Sequence, residues 1–290
     1  MKAVTFDLWD TLIHLQDRDR LIYQEKREMV ASALISKGET LDVNYTPLKK
    51  NSTSMSPKIA YRKAQDLAAK KVASGLTMTP TEQLRFAGEM LGKLPDETEF
   101  LDALSEIIAE LPIKITPNAV KTLDSIKEMG LKTAVISNTV DEPGSLLSPI
   151  CERLGLSERI DKWKFSDESP YAKPSPQIFW ECYKAIGVVA SETIHVGDSL
   201  TDVIGSRRAG SQESILFTHF RKLPTLTKAF KESFELVFYP GQIQKNRPLY
   251  MRIRHSAGNL LDWMGRWYLP DHAIDNLESL LHIFNQDDSG

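Results

Sequence analysis

The chain has little cysteine and no long apolar run, and each shortage excludes a class of protein. Cys151 and Cys182 are the two cysteines among 290 residues, too few for a disulfide framework and without the spacing of a metal site. No uninterrupted apolar stretch approaches the roughly 18 residues that cross a membrane, and no apolar signal segment precedes Lys2. We therefore expect a cytoplasmic protein without a membrane partner.

The chain also lacks an excess of charge of one sign. Its 36 Lys and Arg residues nearly balance its 39 Asp and Glu residues, and the net charge is -3 at pH 7. This balance creates no overall field for nucleic acid or for an anionic membrane, and nucleic-acid binding is not expected. The hydrophobic content of 41% is ordinary for a globular protein, so partners must be inferred from local sites.

Close to its start, the chain has a carboxylate at the end of a short apolar run. The segment Ala3 to Phe6 contains β-branched and aromatic residues and predicts a buried strand. Asp7 follows directly. Because ligands bind at the carboxyl ends of strands in open α/β sheets, Asp7 is a candidate for chemistry.

Between Gln16 and Leu111 the apolar residues recur at helical spacing and predict a helical bundle. The apolar residues of the first helix, which Gly38 would end, are Leu21, Ile22, Val30, Ala33 and Leu34. Thr79-Pro80-Thr81-Glu82 predicts a capping box at the start of the third helix. The predicted helices cover about 16–38, 57–72, 80 onward and 97–110. The polar residues 51–54 end a connection that is a surface loop or, less favoured, a mobile lid.

From Thr116 onward, helices alternate with buried strands, and the strands are predicted at 132–137, 163–165, 193–198 and 214–217. Alternation with short connections predicts an α/β fold with a doubly wound parallel sheet. The bundle interrupts that sheet after its first strand. We therefore expect a core domain of residues 1–14 and 113–290 and a helical domain of residues 15–112.

Polar side chains follow the predicted strands at four places: Asp7, Ser137-Asn138, Lys173, and Asp198 with Asp202. Mg²⁺ prefers a few carboxylate oxygens together with water and substrate oxygens. A lysine and a cation together neutralise a transferring phosphoryl group, which is most of what such a transfer requires. The combination predicts a site for a divalent cation and a phosphate.

These positions carry four ordered motifs: Phe6-Asp7-Leu8-Trp9-Asp10-Thr11-Leu12, Val135-Ile136-Ser137-Asn138, Lys173-Pro174-Ser175-Pro176 and Val196-Gly197-Asp198-Ser199-Leu200-Thr201-Asp202. The set resembles the haloacid dehalogenase-like hydrolase superfamily over residues 1 to about 217, and 270–277 resembles the family's last strand. The resemblance implies a Rossmann-like core with a helical cap that closes over the site. It also implies hydrolysis of a small phosphorylated metabolite.

The resemblance implies a role for each motif residue. Asp7 would be the nucleophile that forms an aspartyl-phosphate, and Lys173 would screen its charge. Ser137 and Asn138 would bind the phosphoryl oxygens. The Mg²⁺ ligands would be Asp7, the backbone carbonyl of Trp9, Asp198 and, directly or through water, Asp202. Asp202 could instead lie in the first turn of its helix and stabilise the helix dipole.

The chain departs from the family pattern at Trp9. Most phosphatases of the family have there a second aspartate that protonates the leaving oxygen. Asp10, one residue later, is expected to be a structural hydrogen-bond acceptor rather than a replacement acid. Loss of a general acid typically costs about 10²–10⁴-fold, so we expect turnover to be restricted to good leaving groups. The alternatives are a 2-haloacid dehalogenase-type hydrolase, which Asp198 and Asp202 disfavour, and a non-catalytic binding module.

An insertion at about 219–269 also departs from the family pattern, because residues 221–268 hold nine Lys or Arg against three Asp or Glu together with many aromatic residues. We expect an extra helix packed on the core, with a homodimer contact as the next option. His195 is expected to be a satisfied core or supporting histidine, and Trp163 and Trp180 to be core. His14, Arg18 and Arg20 follow the first motif, where exposed charge is favoured over substrate contact.

Overall fold

A computed structural model describes residues 1–41, 55–220 and 270–287. The strands in chain order are β1 (Ala3–Phe6), β2 (Ile13–His14), β3 (Glu39–Thr40), β4 (Lys93–Leu94), β5 (Lys114–Ile115), β6 (Lys132–Ser137), β7 (Lys162–Phe165), β8 (Thr193–Gly197), β9 (Glu213–Phe217) and β10 (His272–Ile274). The helices are α1 (Asp17–Lys37), α2 (Pro57–Ala73), α3 (Pro80–Glu89), α4 (Glu97–Ala109), α5 (Ala119–Glu128), α6 (Gly144–Arg153), α7 (Pro176–Ile186), α8 (Leu200–Ala209) and α9 (Ser279–Asp287).

A six-stranded sheet with the order β10-β9-β8-β1-β6-β7 forms the centre of the fold. All of its neighbouring strands pair in parallel. Phe6 of β1 lies opposite Val135 of β6 on one side and Val196 of β8 on the other. The parallel α/β class is confirmed, and the carboxyl ends of these three strands meet at one edge of the sheet.

Helices cover both faces of this sheet. Side chains alternate between the faces along a strand, so Val4 and Val135 enter one core cluster while Ala3 and Ile136 enter another. The first cluster continues into α5 and α9, and the second is formed with α7. Burial on both faces explains why β1 and β6 are nearly continuous apolar runs.

Helices α1 to α4, between β1 and β6, form the helical insertion (residues 15–112). Its third helix begins with the predicted capping box, in which Thr79 and Glu82 satisfy each other's backbone N–H groups. The predicted apolar face of α1 is only partly the inner face: Leu34 is buried, but Leu21 is 61% and Ile22 40% exposed. The inner face also buries Tyr23 and Arg27, and Arg27 is tolerated there because it pairs with Asp141 of the core.

The chain enters and leaves the helical insertion along two adjacent strands. Ile13 of β2 pairs with Ile115 of β5, and the ladder is antiparallel. A second short ladder, β3 with β4, links the end of α1 to the segment before α4. The two chain segments that connect the helical insertion to the core therefore lie side by side, a few residues from Asp7.

Some sequence predictions need correction, and others concern residues that the structure does not describe. Trp180 was predicted to be a core residue but is 48% exposed, because its indole N–H donates to the Ala209 carbonyl at the surface. Trp163 is half-buried and packs against the core. Helix α6 was not predicted, since Pro149 interrupts its pattern. The predictions for residues 51–54 and 221–269 lie outside the described residues. No helix in the described part of the chain is both long and apolar enough to cross a membrane.

Candidate active site

The predicted site residues lie at the carboxyl edge formed by β1, β6 and β8. The Asp7 N–H donates to the Val196 carbonyl at 2.8 Å, which extends the β1–β8 pairing by one residue. Asp198 follows β8 and Ser137 ends β6, so the strand register places both beside Asp7. Asp7, Ser137 and Asp198 are all buried.

The ammonium group of Lys173 contacts two of the carboxylates at this edge of the sheet. Its Nζ lies 2.7 Å from Asp7 Oδ1 and 2.6 Å from Asp202 Oδ1, and its side chain is 2% exposed. The Asn138 side chain fixes the lysine backbone from both sides. Asn138 Nδ2 donates to the Lys173 carbonyl at 2.9 Å, and the Lys173 N–H donates to Asn138 Oδ1 at 2.8 Å.

Asp202 lies in the first turn of α8 and is fully buried. Its Oδ2 accepts hydrogen bonds from the Ser199 hydroxyl and from the Ser199 N–H, the latter at 3.1 Å. Its Oδ1 lies 3.2 Å from His195 Nε2, and the other ring nitrogen of His195 lies 2.9 Å from Thr5 Oγ1. Gly197 makes this arrangement possible, because a Cβ at that position would collide with the Asp202 carboxyl group. His195 is thus the supporting histidine that the sequence predicts.

Burial and charge shift the titration of the four buried groups in different directions. Burial and the nearby Asp202 raise the pKa of Asp7 to about 6, although Lys173 opposes the shift. Burial would lower the pKa of Lys173, but Asp202 and Asp7 raise it above its usual value. Burial would raise the pKa of Asp202, but Lys173 and His195 hold it well below its usual range. Burial lowers the pKa of His195, which is therefore neutral at neutral pH.

The carboxylates fit a divalent cation. Asp7, Asp198 and Asp202 offer oxygen atoms that all lie within 4.8 Å of one another. These three carboxylates carry more negative charge than Lys173 neutralises, and clustered carboxylate oxygens suit Mg²⁺. The Trp9 carbonyl accepts no hydrogen bond from any residue that the structure describes, so it is available as a further oxygen ligand. Asp202 is the least available of the three carboxylates, since both of its oxygens already accept hydrogen bonds.

Asp10 accepts hydrogen bonds from two residues that follow the first motif. Its backbone adopts φ +54°, and its Oδ1 accepts hydrogen bonds from Arg20 NH2 at 2.9 Å and from His14 Nδ1 at 2.9 Å. Asp10 thus accepts hydrogen bonds within this loop, as the sequence predicts, and its exclusion as an acid stays a prediction. Trp9 is half-buried, and the Arg20 guanidinium carbon lies 5.6 Å from the centre of its ring. Arg20 therefore links the first motif to α1.

The helical insertion contacts the loop that follows Ser137, and sequence reasoning missed these contacts. Tyr23 donates its hydroxyl to the Asp141 carbonyl at 3.0 Å, and Gln83 Nε2 donates to the Val140 carbonyl at 2.7 Å. Arg27 pairs with the Asp141 carboxylate. Burial and Asp141 raise the pKa of the neighbouring Glu142 to about 8. The sequence feature that could have indicated these contacts is the four-residue spacing of Tyr23 and Arg27, which places them on the same face of α1.

A second contact reaches the segment that holds Lys173. The Thr77 N–H donates to the Pro170 carbonyl at 3.1 Å, and the Ala172 N–H donates to the Gly75 carbonyl at 3.0 Å. Gly75 has φ +81°, and a Cβ there would approach Ser175 Cβ to 2.9 Å. The turn between α2 and α3 therefore packs directly against the residues that flank the lysine.

Comparison with known proteins gives curated relatives with phosphatase names. A glyceraldehyde 3-phosphate phosphatase of Methanopyrus kandleri is 33% identical over 101 residues, which are 34% of this chain and 41% of that protein. A phosphoglycolate phosphatase of Pseudomonas syringae pv. tomato is 32% identical over 97 residues, which are 33% of this chain and 34% of that protein. The chain therefore spans less than half the length of these relatives.

Solved structures share the fold at low identity. A 2-haloacid dehalogenase from Pseudomonas syringae pv. tomato DC3000 matches with a TM-score of 0.59 at 17% identity, over 99% of both chains. A HAD phosphatase from Thermococcus onnurineus matches with a TM-score of 0.53 at 17% identity, over 98% of both chains. A family model described as haloacid dehalogenase-like hydrolase matches residues 1–210. Sequence model, fold and strand-end residues agree, and the chain belongs to the haloacid dehalogenase-like hydrolase family.

Proposed function

We propose that the chain is a Mg²⁺-dependent phosphohydrolase that acts on a small phosphorylated metabolite through an aspartyl-phosphate at Asp7. The observation that carries the proposal is the contact of Lys173 with both Asp7 and Asp202, at 2.7 and 2.6 Å, beside a third carboxylate. This arrangement supplies a nucleophile, a buried cation and a metal-binding cluster at one point. The phosphatase names of the curated relatives support the same substrate class.

In the proposed reaction, one Asp7 oxygen attacks phosphorus and the bond to the leaving oxygen breaks. The contacts of Asp7 favour Oδ2 as the attacking atom, because the Leu8 N–H, at 2.7 Å, and Lys173 both contact Oδ1. Asp7 must be ionised for this step, and its pKa of about 6 allows that at neutral pH. Water then attacks the phosphorus of the aspartyl-phosphate and releases phosphate and free Asp7.

Ser137 and Lys173 would bind the phosphoryl oxygens as donors. Ser137 is buried at the end of β6, one residue beyond the level of Asp7. We assign Asn138 a different contribution from the one that the family resemblance implies for its side chain. Because both polar atoms of that side chain bond the Lys173 backbone, Asn138 would position the lysine and offer its backbone N–H to the phosphate.

Asp7, Asp198 and the Trp9 carbonyl would hold the metal directly, and Asp202 through water. When bound, Mg²⁺ would neutralise part of the phosphoryl charge and fix the orientation of the substrate. Asp202 would act mainly through Lys173, since its oxygens are engaged by the lysine, His195 and Ser199.

The leaving group would depart without a proton from the first motif. Trp9 has no acidic proton, and Asp10 is held by Arg20 and His14. We therefore propose a preference for acyl or aryl phosphates, whose leaving groups need no protonation, over alkyl phosphates, by about 10²-fold or more. Residues 15–112 would form the cap over this site, because Tyr23, Arg27 and Gln83 contact the loop after Ser137.

The test is phosphate release from a panel of acyl, aryl and alkyl phosphates with and without Mg²⁺, together with halide release from 2-haloacids. We expect Mg²⁺-dependent phosphate release that Asp7→Asn abolishes and that the exposed control Asp102→Asn leaves unchanged. Phosphate release that survives Asp7→Asn would refute the nucleophile. Metal-independent halide release without phosphate release would establish the dehalogenase alternative.

A further inference from the structure

The turn between α2 and α3, the insertion turn (residues 74–79), hydrogen-bonds the chain immediately before the lysine of the site. Leu76 of this turn pairs with Tyr171 as an isolated antiparallel β-bridge. The Ala172 N–H donates to the Gly75 carbonyl at 3.0 Å, and Ala172 is fully buried. The helical insertion therefore holds the main chain of the core up to one residue before the lysine.

The core holds the main chain of Lys173 itself. The Lys173 N–H donates to Asn138 Oδ1 at 2.8 Å, and the Lys173 carbonyl accepts from Asn138 Nδ2 at 2.9 Å. The Lys173 Nζ lies 2.7 Å from Asp7 Oδ1 and 2.6 Å from Asp202 Oδ1. Because these distances are already short for charge-assisted hydrogen bonds, a backbone shift of about 1 Å would break both contacts.

A second contact with the helical insertion reaches Lys173 through the loop after Ser137. Gln83 is completely buried, and its Nε2 donates to the Val140 carbonyl at 2.7 Å. Val140 lies two residues after Asn138, whose side chain bonds the lysine backbone. Two separate contacts of the insertion thus converge on the same lysine.

Gly75 allows the insertion turn to lie this close to the core. It has φ +81°, and a Cβ there would approach Ser175 Cβ to 2.9 Å and the Ser175 N and Cα to 3.3 Å. Gly92, between α3 and β4, has φ +66° and no atom within 4 Å of a Cβ built on it. The two glycines share a backbone requirement, but Gly75 combines it with a neighbour two residues after Lys173.

We propose that the insertion turn is a positioning element for Lys173: by bonding Ala172, it holds the ammonium group between Asp7 and Asp202. This inference rests on the proposed function for the role of the lysine. It gives the helical insertion a part in the chemical step, in addition to covering the site. A misplacement of about 1 Å caused by a distant residue can cost about 10²-fold in rate. Gly75 is thus a positioning residue, since it acts through Lys173.

The test compares Gly75→Ala with the control Gly92→Ala in the full chain, by phosphate release from p-nitrophenyl phosphate at saturating Mg²⁺. Gly75→Ala should lower kcat by about tenfold or more with a smaller change in KM, because Lys173 acts most on charge that develops in the transition state. Gly92→Ala should keep kcat, because it adds similar backbone strain without a collision. Ser175→Gly removes the atom that the new methyl group meets, so Gly75→Ala should cost less kcat in that background than in wild type.

Hydrogen exchange of the Lys173 amide gives a readout that does not depend on activity. It should be faster in Gly75→Ala than in wild type or Gly92→Ala, because release of the insertion turn loosens the segment. An unchanged exchange rate or kcat in Gly75→Ala, or an equal loss of kcat in Gly92→Ala, would overturn the inference. If Gly75→Ala does not fold, Gly75→Asn decides by the same criteria, because asparagine tolerates positive φ but still adds the Cβ. A wild type that releases no phosphate would refute the proposed hydrolysis alone, because the exchange comparison still decides whether the turn positions Lys173.

Discussion

Replacing Lys173 with methionine should destabilise the protein more than removal of any surface lysine. The ammonium group lies between Asp7 and Asp202, and its side chain is 2% exposed. Methionine keeps most of the apolar stem but removes the charge. Two carboxylates would then face each other at a buried edge of the sheet without their shared cation.

Removing one partner of a buried ion pair costs about 3–5 kcal/mol, because an uncompensated charge remains. Part of this cost should be relieved by protonation of Asp7, whose pKa is already about 6 with the lysine present and should rise further without it. When folding raises the pKa of a carboxyl group, that group contributes its full stabilisation of the folded state at pH values below its unfolded pKa. The contribution is lost as the pH rises through its folded pKa. The cost of Lys173→Met should therefore be larger at pH 7.5 than at pH 5.

The assay is equilibrium unfolding in urea at both pH values, without Mg²⁺. The matched control is Lys121→Met, which removes an exposed ion pair with Glu278 and should cost less than about 1 kcal/mol. The double variant Lys173→Met with Asp202→Asn should recover much of the stability, because it removes one of the two facing charges. Saturating Mg²⁺ should also stabilise Lys173→Met, because it supplies positive charge to the folded state alone.

A loss below about 1 kcal/mol for Lys173→Met at pH 7.5 would contradict this reasoning, since such a value is typical of an exposed pair. An equal loss at pH 5 and pH 7.5 would show that the cost is one of packing rather than of charge. Either result would remove the electrostatic basis on which the role of Lys173 depends.

Three further predictions concern single groups of the site. Trp9→Asp should raise the turnover of alkyl phosphates relative to aryl phosphates by about tenfold or more, and an unchanged ratio of kcat/KM would contradict the assignment of Trp9 to the acid position. Mg²⁺ affinity, followed by calorimetry, should fall about tenfold from pH 7 to pH 5, because Asp7 titrates near 6 and must release its proton to bind the ion. Glu142→Gln should stabilise the protein at pH 7 by up to about 3 kcal/mol and less at pH 5, as measured by urea unfolding, because the folded-state pKa of Glu142 is raised from 4.5 to about 8.

Local signals in the sequence predicted most of the elements. Buried β-branched runs predicted β1, β6 and β8 to within a residue or two. Helix ends were predictable where a single residue marks them, as Thr79 does for the start of α3 and Gly38 for the end of α1. The meeting of Asp7, Ser137 and Asp198 at one edge followed from the parallel sheet, because the carboxyl ends of neighbouring parallel strands lie together. The catalytic roles of these residues stay predictions.

The contacts between the helical insertion and the core could not be predicted in the same way. Hydrophobicity predicted a face of α1 that includes Leu21, Ile22 and Leu34. Leu34 is buried, but the helix exposes Leu21 and Ile22 and buries Tyr23 and Arg27. A buried arginine is stable only when a distant residue neutralises it, and the spacing within α1 contains no information about Asp141, which lies 114 residues later. Long-range pairs of this kind depend on how two units dock, and one helix sequence does not encode that.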